Sequence, residues 1–326
     1  MTDIKKPIVS VLLEPNWAAS SLVVDVRRGL GSIPRSLPPK WLYDDRGSAL
    51  FEEITRLPEY YPTECERAIL RDNGDEIALL SGASTIIELG SGTSDKTRSL
   101  LDAFTATGQL ERFAPVDFSE STLRAAAAEI AVAYPGVQVE AMVGDFTLHV
   151  PHLPQGGTRM VAFLGGTIGN LYVEERGAFL GALADSLAPG DSLLLGTDLV
   201  KDADRLIAAY DDSRGITAEF VMNSLHVLNR ELGADFDLSA FTYVPFWDSR
   251  MERMDLRLRS EVPQRVNIPG ASIDLDLASG EEIRIEISTK FRTGGIAQEL
   301  TAVGFSVTKT WFDQDSDFAV TLAHRV

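Results

Sequence analysis

Short apolar runs and amphipathic segments alternate regularly through the middle of this chain. Runs of β-branched and other apolar residues, short enough for buried strands, are bounded by polar or glycine-containing turns. The pattern predicts strands at Thr85 to Leu89, Arg112 to Asp117, Val137 to Val143, Arg159 to Leu164 and Asp191 to Thr197. Helical periodicity fills the gaps at 94–106, 119–133 and 173–187. This alternation predicts an α/β fold with a doubly wound, mainly parallel sheet.

The segments on either side follow a less regular pattern. Ahead of the sheet, helices are predicted at 17–30 and 48–56, and a Thr63-x-x-Glu66 capping box is expected to begin a helix that ends near Leu80. After Asp198, helices are predicted at 201–212, 217–231 and 293–303, and strands at 241–248, 251–260 and 272–277. Strands at 282–291, 305–311 and 317–324 are expected to complete the parallel sheet. We therefore predict a cofactor domain of residues 64–200 and 282–326, and a discontinuous α+β substrate domain of residues 11–63 and 201–281.

Composition excludes several classes of protein. The chain has 326 residues, of which 44% are hydrophobic, enough to bury a core in one or two domains. Its net charge is −18 and its 30 lysines and arginines form no run, so a nucleic-acid backbone would be repelled. The sequence contains no apolar run of the ~20 residues needed for a membrane span, and no export-type apolar block follows its N-terminus. We expect a cytoplasmic monomer that acts on a small molecule.

Metal-ligating residue types are sparse. Cys65 is the single cysteine, so the chain cannot form an internal disulfide or a multi-cysteine metal site. Among the four histidines, the pair His149-x-x-His152 is interrupted by Pro151 and is predicted to lie in a surface loop. The sequence therefore predicts no metal site.

The stretch 86–94 carries the clearest chemical signal. An apolar strand runs through Glu88 into Gly90 and Gly92, and the residues that follow are predicted to begin a helix. The two glycines let the backbone bend tightly and approach a ligand, toward which the N–H groups of the helix N-terminus also point. A dinucleotide fingerprint needs a third glycine where Asp95 stands. The turn is more similar to the cofactor turn of S-adenosylmethionine (SAM) methyltransferases.

Polar residues also end the neighbouring predicted strands, and ligands of open parallel sheets bind beyond these carboxyl ends. Asp117 stands where an acid can bind both ribose hydroxyls, and Asp145 could hold the adenine amino group with Phe146 packed on its ring. Lys96 could pair with the cofactor carboxylate. Each acid alone is as commonly a helix N-cap, and the lysine as commonly a solvated side chain. Three acids ending three successive strands, in the order methionine end, ribose and adenine, favour the cofactor interpretation.

The substrate side is less distinctive. The loop 165–171, Gly-Gly-Thr-Ile-Gly-Asn-Leu, permits close backbone approach and offers one amide side chain, although its glycines could serve only for turning. Tyr43, Tyr60, Tyr61 and Tyr210 flank the cofactor domain in sequence, but tyrosines are commonly half-buried core residues. Glu286 and Ser288 share one face of a predicted strand and could grip two nitrogens of a small ring. The alternative for this pair is the solvent face of an edge strand.

Several longer segments resemble one family, the SAM-dependent L-histidine Nα-methyltransferases of ergothioneine biosynthesis. Two proline-aromatic segments and the Thr-Ile-Gly-Asn loop are specific to that family, whereas the glycine turn is generic. The likeness spans nearly the whole chain and is carried by Leu37-Pro-Pro-Lys-Trp-Leu-Tyr-Asp44, Leu57-Pro-Glu-Tyr-Tyr-Pro-Thr63, Glu88-Leu-Gly-Ser-Gly-Thr-Ser94, Phe163-Leu-Gly-Gly-Thr-Ile-Gly-Asn-Leu171, Leu195-Gly-Thr-Asp-Leu-Val-Lys-Asp202 and Asn229-Arg-Glu-Leu232.

The resemblance implies an enzyme that uses SAM to methylate the α-amine of L-histidine three times, giving trimethylhistidine (hercynine). By position it implies that Tyr43 lies beside the reacting amine and that Glu286 and Ser288 recognise the imidazole. We assign cofactor binding to Glu88, Gly90, Gly92, Lys96, Asp117, Asp145 and Phe146, substrate binding to Tyr60, Gly165, Asn170, Tyr210, Glu286 and Ser288, and catalysis to Tyr43 and Asn170.

Two other hypotheses remain open from the sequence. One keeps the SAM cofactor but changes the acceptor to another amino acid or a small amine. The other is a SAM-binding regulator without catalysis, which is disfavoured because a lined acceptor pocket would be superfluous.

Overall fold

The chain divides into two units, each assembled from segments that are distant in sequence. The structure is a computed structural model that describes residues 5–326. Among the described residues, the first unit contains 5–13, Pro62–Val200 and Phe291–Val326. The second contains Glu14–Tyr61 and Lys201–Lys290. None of the described helices has the length and apolarity that crossing a membrane requires.

Strands and helices alternate along most of the chain. The strands are β1 (Ile8–Val11), β2 (Arg35–Ser36), β3 (Thr85–Leu89), β4 (Arg112–Asp117), β5 (Gln138–Val143), β6 (Arg159–Phe163), β7 (Ser192–Asp198), β8 (Phe241–Asp248), β9 (Arg253–Ser260), β10 (Gln264–Ile268), β11 (Ile273–Leu277), β12 (Glu282–Thr289), β13 (Phe305–Phe312) and β14 (Phe318–Arg325). The α-helices are α1 (Trp17–Leu30), α2 (Asp45–Ile54), α3 (Tyr61–Ser81), α4 (Arg98–Ala106), α5 (Glu120–Ala133), α6 (Phe146–His149), α7 (Val173–Ser186), α8 (Ala203–Tyr210), α9 (Ile216–Leu232) and α10 (Gly295–Ala302).

The described residues of the first unit form an eight-stranded sheet in the order β1-β5-β4-β3-β6-β7-β14-β13. Neighbouring strands from β1 to β7 are parallel, and the last two strands of the sheet are antiparallel. The chain runs outward from β3 through β4 to β5 and then returns to the other side of β3 with β6. The order of strands therefore reverses beside β3, which is where open α/β sheets bind ligands.

Both faces of this sheet are covered, as the predicted doubly wound arrangement requires. On one face, Ile69 of α3, Leu101 of α4 and Leu123 of α5 join a buried apolar cluster with residues of the strands. On the other face, Leu180 of α7 and Leu300 of α10 belong to a second such cluster. Strands β3 and β6 are buried along their whole length, as their largely apolar sequences indicate. The buried sheet provides a rigid base for the polar loops at its carboxyl edge.

The second unit has its own, smaller sheet. Its four strands lie in the order β2-β12-β9-β8, with a parallel β2–β12 pair and antiparallel pairs elsewhere. A separate hairpin joins β10 to β11. Strand β12 is therefore an interior strand of this sheet, with a neighbour on each side.

The pairing of β12 corrects one prediction. Residues 282–291 were expected to complete the large parallel sheet, but β12 pairs with β9 and β2, and the first unit resumes only at Phe291. Alternation of side chains identifies a strand without identifying its partners, which is why the pattern misplaced this segment. The short strand β1, which pairs with β5 and places residues 11–13 in the first unit, was not predicted.

Two predicted helix starts are also wrong. Helix α4 begins at Arg98 rather than at residue 94, because Ser94 adopts a left-handed conformation with φ of 54°. Helix α3 begins at Tyr61, so Thr63 lies within its first turn and the predicted capping box does not form. The carboxylate of Glu66 is instead bonded to groups far along the chain, as described below.

Candidate active site

The turn after β3 has the backbone that its glycines predict. Gly90 and Gly92 have φ angles of 67° and 51°, in the left-handed region that side chains with a Cβ disfavour. A Cβ at Gly92 would meet no atom within 4 Å, so the backbone alone requires glycine there. A Cβ at Gly90 would lie 3.5 Å from the ring of Phe146. The turn thus keeps an open backbone surface at the carboxyl end of β3.

Asp117, the last residue of β4, fixes the position of this turn. One carboxylate oxygen accepts a hydrogen bond from the N–H of Gly92 and the other from the N–H of Ser119, both at 2.9 Å. Loss of hydration raises the pKa of Asp117, and these backbone N–H groups oppose the shift. Each carboxylate oxygen can accept a further hydrogen bond. Asp117 can therefore hold the turn and still bind the hydroxyls of a ligand.

Glu88 is almost completely buried where β3 ends. Burial raises its pKa to about 7, against the opposing effects of the Thr97 and Ser94 hydroxyls and the charge of Lys96. Thr97 donates a hydrogen bond to one carboxylate oxygen. Within residues 5–326, no donor meets hydrogen-bond geometry at the other oxygen, Oε2, and the buried hydroxyl of Ser91 is likewise unpartnered.

Unpaired buried polar atoms cost free energy unless a ligand satisfies them. Glu88 Oε2 can accept from an ammonium group, and the Ser91 hydroxyl can donate or accept. Together with the open glycine backbone, these atoms suit the amino-acid end of SAM. The residues present therefore fit the cofactor that the sequence predicts.

Asp145 and Phe146 begin the short helix α6 after β5. The Asp145 carboxylate accepts hydrogen bonds from the N–H and the hydroxyl of Thr147, so this residue is a helix N-cap. The ring of Phe146 packs against Phe163 and Phe179 with centroid distances of 5.2 and 6.0 Å. Capping accounts for the aspartate without excluding a ligand contact, and the aromatic packing gives Phe146 a fixed position beside the glycine turn.

Lys96 contacts a residue that the sequence patterns did not assign to the site. Its ammonium group forms an ion pair with Glu66 of α3, at 2.6 Å. The same carboxylate accepts from the backbone N–H of Gly165, at 2.7 and 2.9 Å to its two oxygens. Glu66 is fully buried, whereas the side chain of Lys96 is 25% exposed. Lys96, predicted to bind the cofactor carboxylate, is therefore held between the glycine turn and the loop after β6.

The loop after β6 places Gly165 and Asn170 at the same edge of the sheet. Gly165 is exposed with φ of 77°, and residues Thr167–Asn170 form a 3-10 turn that ends in the amide side chain. Asn170 is half-buried, and its amide forms no hydrogen bond with any residue from 5 to 326. Such an amide can donate to a carboxylate and accept from an amine at once. The alternative that this loop serves only for turning leaves the amide without a function.

The second unit contains a different group of predicted residues, centred on β12. Glu286 and Ser288 lie opposite Leu256 and Met254 of β9, and both side chains are buried, at 9% and 6% exposure. The solvent face of an edge strand is therefore excluded for this pair. Burial raises the pKa of Glu286 to about 7, and the charge of Lys290 opposes the shift. No described residue donates a hydrogen bond to this carboxylate.

Lys290 extends the same alternation by one step and is 2% exposed. Its ammonium group donates to the Tyr210 hydroxyl at 2.7 Å and to the Ser288 hydroxyl at 2.8 Å. Tyr210 in turn donates to Ser288 at 2.9 Å. The hydroxyl of Tyr243 donates to the backbone carbonyl of Tyr210 at 2.8 Å and fixes the end of α8. Two predicted substrate residues are thus joined by a lysine that sequence patterns did not identify.

The predicted tyrosines of the second unit belong to one aromatic cluster. Tyr43 packs edge-on against Phe51 and Phe220, with centroids 5.5 and 5.2 Å apart. Phe51 also contacts Tyr60 at 6.3 Å, and Tyr60 contacts Tyr210 at 6.1 Å. The rings are therefore held in place by packing against one another.

Two further candidates have structural roles. The hydroxyl of Tyr61 accepts a hydrogen bond from Lys201 at 2.5 Å. The cationic groups of Lys201 and Arg205 lie over its ring in cation–π contacts. His149 and His152 lie in helical turns rather than in the predicted loop, and His149 Nδ1 bonds to the carbonyl of Asp145 at 2.9 Å. A ring nitrogen engaged with its own helix is a local structural contact.

The structure thus gathers the predicted residues into two sets. The residues assigned to the cofactor, together with Gly165 and Asn170, lie at the carboxyl edge of the large sheet. The tyrosines predicted to contact the substrate, and the pair Glu286 and Ser288 predicted to bind the imidazole, lie in the second unit. Sequence patterns missed Glu66 and Lys290. Lys290 could have been found from its alternation with Glu286 and Ser288, whereas nothing local distinguishes Glu66 from a helix-capping glutamate.

Comparison with known proteins identifies the family. The sequence profile of the family described as "Histidine-specific methyltransferase, SAM-dependent" matches residues 22–325. This chain belongs to that family. Its first unit is accordingly a class I SAM-dependent methyltransferase fold, with the glycine turn at the reversal of strand order.

Individual relatives are similar over most of the chain. A histidine N-alpha-methyltransferase from Mycolicibacterium smegmatis is 52% identical over 313 residues, covering 96% of this chain and 98% of that protein. A Mycobacterium tuberculosis protein of the same name is 51% identical over 299 residues, covering 92% and 93%. Ergothioneine biosynthesis protein 1 of Neurospora crassa is 35% identical over 206 residues, which are 61% of this chain and 23% of that larger protein.

Proposed function

We propose that this protein transfers three methyl groups from SAM to the α-amine of L-histidine, forming trimethylhistidine for ergothioneine biosynthesis. Membership of the histidine-specific family supports the reaction, and the names of the relatives from Mycolicibacterium smegmatis and Neurospora crassa support the substrate and the pathway. The structural observation that carries the proposal is the buried carboxylate of Glu286, which lies beside the Ser288 hydroxyl and accepts no hydrogen bond from the described residues.

A buried carboxylate without a donor selects a ligand that brings one. Neutral imidazole has one N–H donor and one ring nitrogen that accepts, so it can donate to Glu286 and accept from Ser288. A donated hydrogen bond favours the ionised form of Glu286, whose pKa burial raises to about 7. The indole ring of tryptophan and the phenyl ring of phenylalanine lack the accepting nitrogen. The pair therefore favours histidine over other aromatic amino acids.

The cofactor is assigned to the carboxyl edge of the large sheet. The turn at Gly90 and Gly92, together with Glu88, would hold the amino-acid end of SAM, and Lys96 its carboxylate. Asp117 would bind the ribose hydroxyls. Asp145 and Phe146 would bind the adenine. When bound, SAM supplies an electrophilic methyl group on a positively charged sulfur.

The residues of the protein have positioning as their main task, because an in-line displacement needs the amine lone pair aimed at the methyl carbon. We assign to Asn170, Tyr60 and Tyr210 the fixing of the α-carboxylate and the amine. The Tyr43 hydroxyl would accept hydrogen bonds from the amine protons as the nitrogen becomes cationic. A neutral phenol is too weak a base to take a proton, so the proton leaves through water or before the amine binds. The aromatic cluster around Tyr43 and the net negative charge of the protein also favour a trimethylammonium product.

Mass spectrometry of a mixture of protein, SAM and L-histidine tests the proposal directly. We expect species carrying one, two and three added methyl groups, with the trimethylated amino acid as the end product. A protein that binds the cofactor product S-adenosylhomocysteine but methylates no amino acid would instead be a SAM-binding regulator. Methylation of another amine in place of histidine would identify a different acceptor.

A variant of Glu286 tests whether this residue binds the imidazole ring of histidine. Glu286→Ala should weaken histidine binding by about tenfold or more, because the hydrogen bond to a charged acceptor is lost. Binding of S-adenosylhomocysteine should stay unchanged. The matched control is Glu261→Ala, which removes an exposed glutamate of the same unit. Histidine affinity that is equal in both variants would contradict the assignment.

The oligomeric state and the cellular location of the protein are also proposals. We propose that the protein is a monomer that acts in the cytoplasm, where SAM and histidine are both available. Light scattering coupled to size-exclusion chromatography should give a mass near 35.5 kDa at assay concentrations. A mass of twice that value would contradict the monomer.

A further inference from the structure

The buried ammonium group of Lys290 is the feature of the second unit that the proposed reaction leaves unexplained. Burying a lysine is costly unless its charge is compensated and its N–H groups are hydrogen-bonded. Two of its protons go to the hydroxyls of Tyr210 and Ser288. Both hydroxyls belong to predicted substrate residues, so these bonds bear directly on the proposed substrate site.

The hydrogen bonds around Ser288 determine which way its own proton points. An ammonium group can only donate, so the Ser288 oxygen accepts from Lys290. The Tyr210 hydroxyl, the more acidic of the two and hence the better donor, also donates to Ser288. These two bonds occupy both lone pairs of the Ser288 oxygen. Its O–H can then only donate, and no described residue accepts from it.

We infer that Lys290 is a positioning residue that sets Ser288 as a hydrogen-bond donor, so that beside the accepting Glu286 the site selects a ring with one N–H and one unprotonated nitrogen. This inference rests on the proposed function, because it takes the imidazole as the ligand of the pair. The inference specifies which protonation state of the substrate ring the site binds. Neutral imidazole fulfils both requirements, whereas imidazolium brings two donors and would oppose the Ser288 proton.

The charged groups around Lys290 and Glu286 support this role of Lys290. The positive charge of Lys290 lowers the pKa of Glu286, which burial alone would raise further, and so keeps the carboxylate available as an acceptor. Tyr243, Asp211 and Asp212 also lie within electrostatic range. Burial raises the pKa of Tyr243 well above its ordinary value, and the negative charges of Glu286 and the two aspartates raise it further. Tyr243 therefore stays neutral. Lys290 is the cation that the pKa of Glu286 responds to.

A purely structural role for Lys290 makes a different prediction. If the lysine served only to neutralise Glu286, its removal would affect histidine binding through Glu286 and independently of Ser288. If it acts by orienting the Ser288 proton, its effect should disappear once that hydroxyl is absent. Double-mutant cycles measure this dependence, since residues that act through each other are not additive.

The experiment uses the full chain with saturating S-adenosylhomocysteine and measures histidine dissociation constants by calorimetry. Lys290→Met, which keeps most of the length of the side chain and removes its donors, should weaken histidine binding by about tenfold to a hundredfold. In the Ser288→Ala background the same change should cost less than about threefold, whereas in the Glu286→Gln background it should keep most of its effect. Lys6→Met, at an exposed lysine of the first unit, is the control and should change nothing.

Steady-state kinetics provide a second readout. Because Lys290 acts on ring binding, Lys290→Met should raise the KM for histidine more than it lowers kcat. Equal losses in the wild-type and Ser288→Ala backgrounds, or coupling to Glu286 alone, would overturn the inference. If wild-type protein bound no histidine at all, the proposed function would fail instead, so the two failures are distinguishable. Should Lys290→Met not bind S-adenosylhomocysteine, the cycle is repeated with Lys290→Gln under the same criterion.

Discussion

The carboxylate of Glu66 accepts a hydrogen bond from the backbone N–H of Gly165, across 2.7 Å. The two residues belong to α3 and to the loop after β6, so this contact joins the helix that precedes β3 to the loop at the carboxyl edge of the sheet. The same carboxylate holds Lys96 on the other side. A Cβ at Gly196 would approach the Glu66 carboxylate to 2.1 Å, which shows how closely the surrounding backbone encloses it. Glu66 thus fixes two segments assigned to ligand binding without being assigned a ligand itself.

Glu66→Ala should lower the free energy of unfolding by about 3 kcal/mol, because it removes one partner of a buried ion pair and leaves the Gly165 N–H unpaired. Chemical denaturation at pH 7 measures the change. Glu64→Ala on the same helix is the control, since Glu64 pairs with Arg67 at the surface and should contribute less than about 1 kcal/mol. Similar losses in the two variants would contradict a special role for Glu66.

The pKa of Glu88 gives a pH-dependent prediction. In the native state this pKa is about 7, above the ordinary glutamate value of 4.5, so the folded protein prefers the protonated acid. Stability from this group is complete below pH 4.5 and is lost as the pH rises through 7. Glu88→Gln stays neutral throughout, so its stability relative to wild type should increase between pH 5 and pH 8, by on the order of 2 to 3 kcal/mol. Denaturation of the ligand-free proteins at the two pH values measures the difference. A difference that does not vary with pH would refute the raised pKa.

The sequence was sufficient for the features that depend on local pattern. Apolar runs identified β3 to β7 within one or two residues, and the turn after β3 followed from Gly90 and Gly92. The location of Glu286 and Ser288 on the same face of one strand followed from the alternation of side chains. Each of these is determined by residues that are close together along the chain.

Long-range contacts were beyond such patterns. The pattern did not show that β12 pairs with β2 and β9, because strand propensity carries no information about partners. For the same reason, the sequence did not reveal the roles of Glu66 and Lys290. Each of them contacts a residue far away in sequence, Gly165 and Tyr210 respectively. The capping box at Thr63 was wrong because tertiary contacts of Glu66 replace the local ones.

Asp117→Ala should weaken binding of S-adenosylhomocysteine by about tenfold to a hundredfold. The change removes the acceptor that ties Gly92 to the end of β4, and it removes the predicted partner of the ribose hydroxyls. Calorimetric titration with S-adenosylhomocysteine measures the loss. Asp95→Ala is the matched control, because Asp95 lies on the same turn with its carboxylate at the surface, paired with Arg67. The assignment of Asp117 would be wrong if both variants bound this ligand like wild type.

Tyr43→Phe separates catalysis from binding. The ring packs edge-on against Phe51 and Phe220, contacts that phenylalanine keeps, so the variant should fold normally and bind histidine nearly as well as wild type. It lacks the hydroxyl that we propose to accept from the amine as positive charge develops, so kcat should fall by about tenfold to a hundredfold while KM changes little. Single-turnover methylation followed by mass spectrometry isolates the chemical step. Tyr134→Phe controls for the loss of a phenol, because that hydroxyl bonds to Asp102 in the first unit. An unchanged single-turnover rate in Tyr43→Phe would remove Tyr43 from the mechanism and leave positioning by Asn170 and the other tyrosines as the source of catalysis.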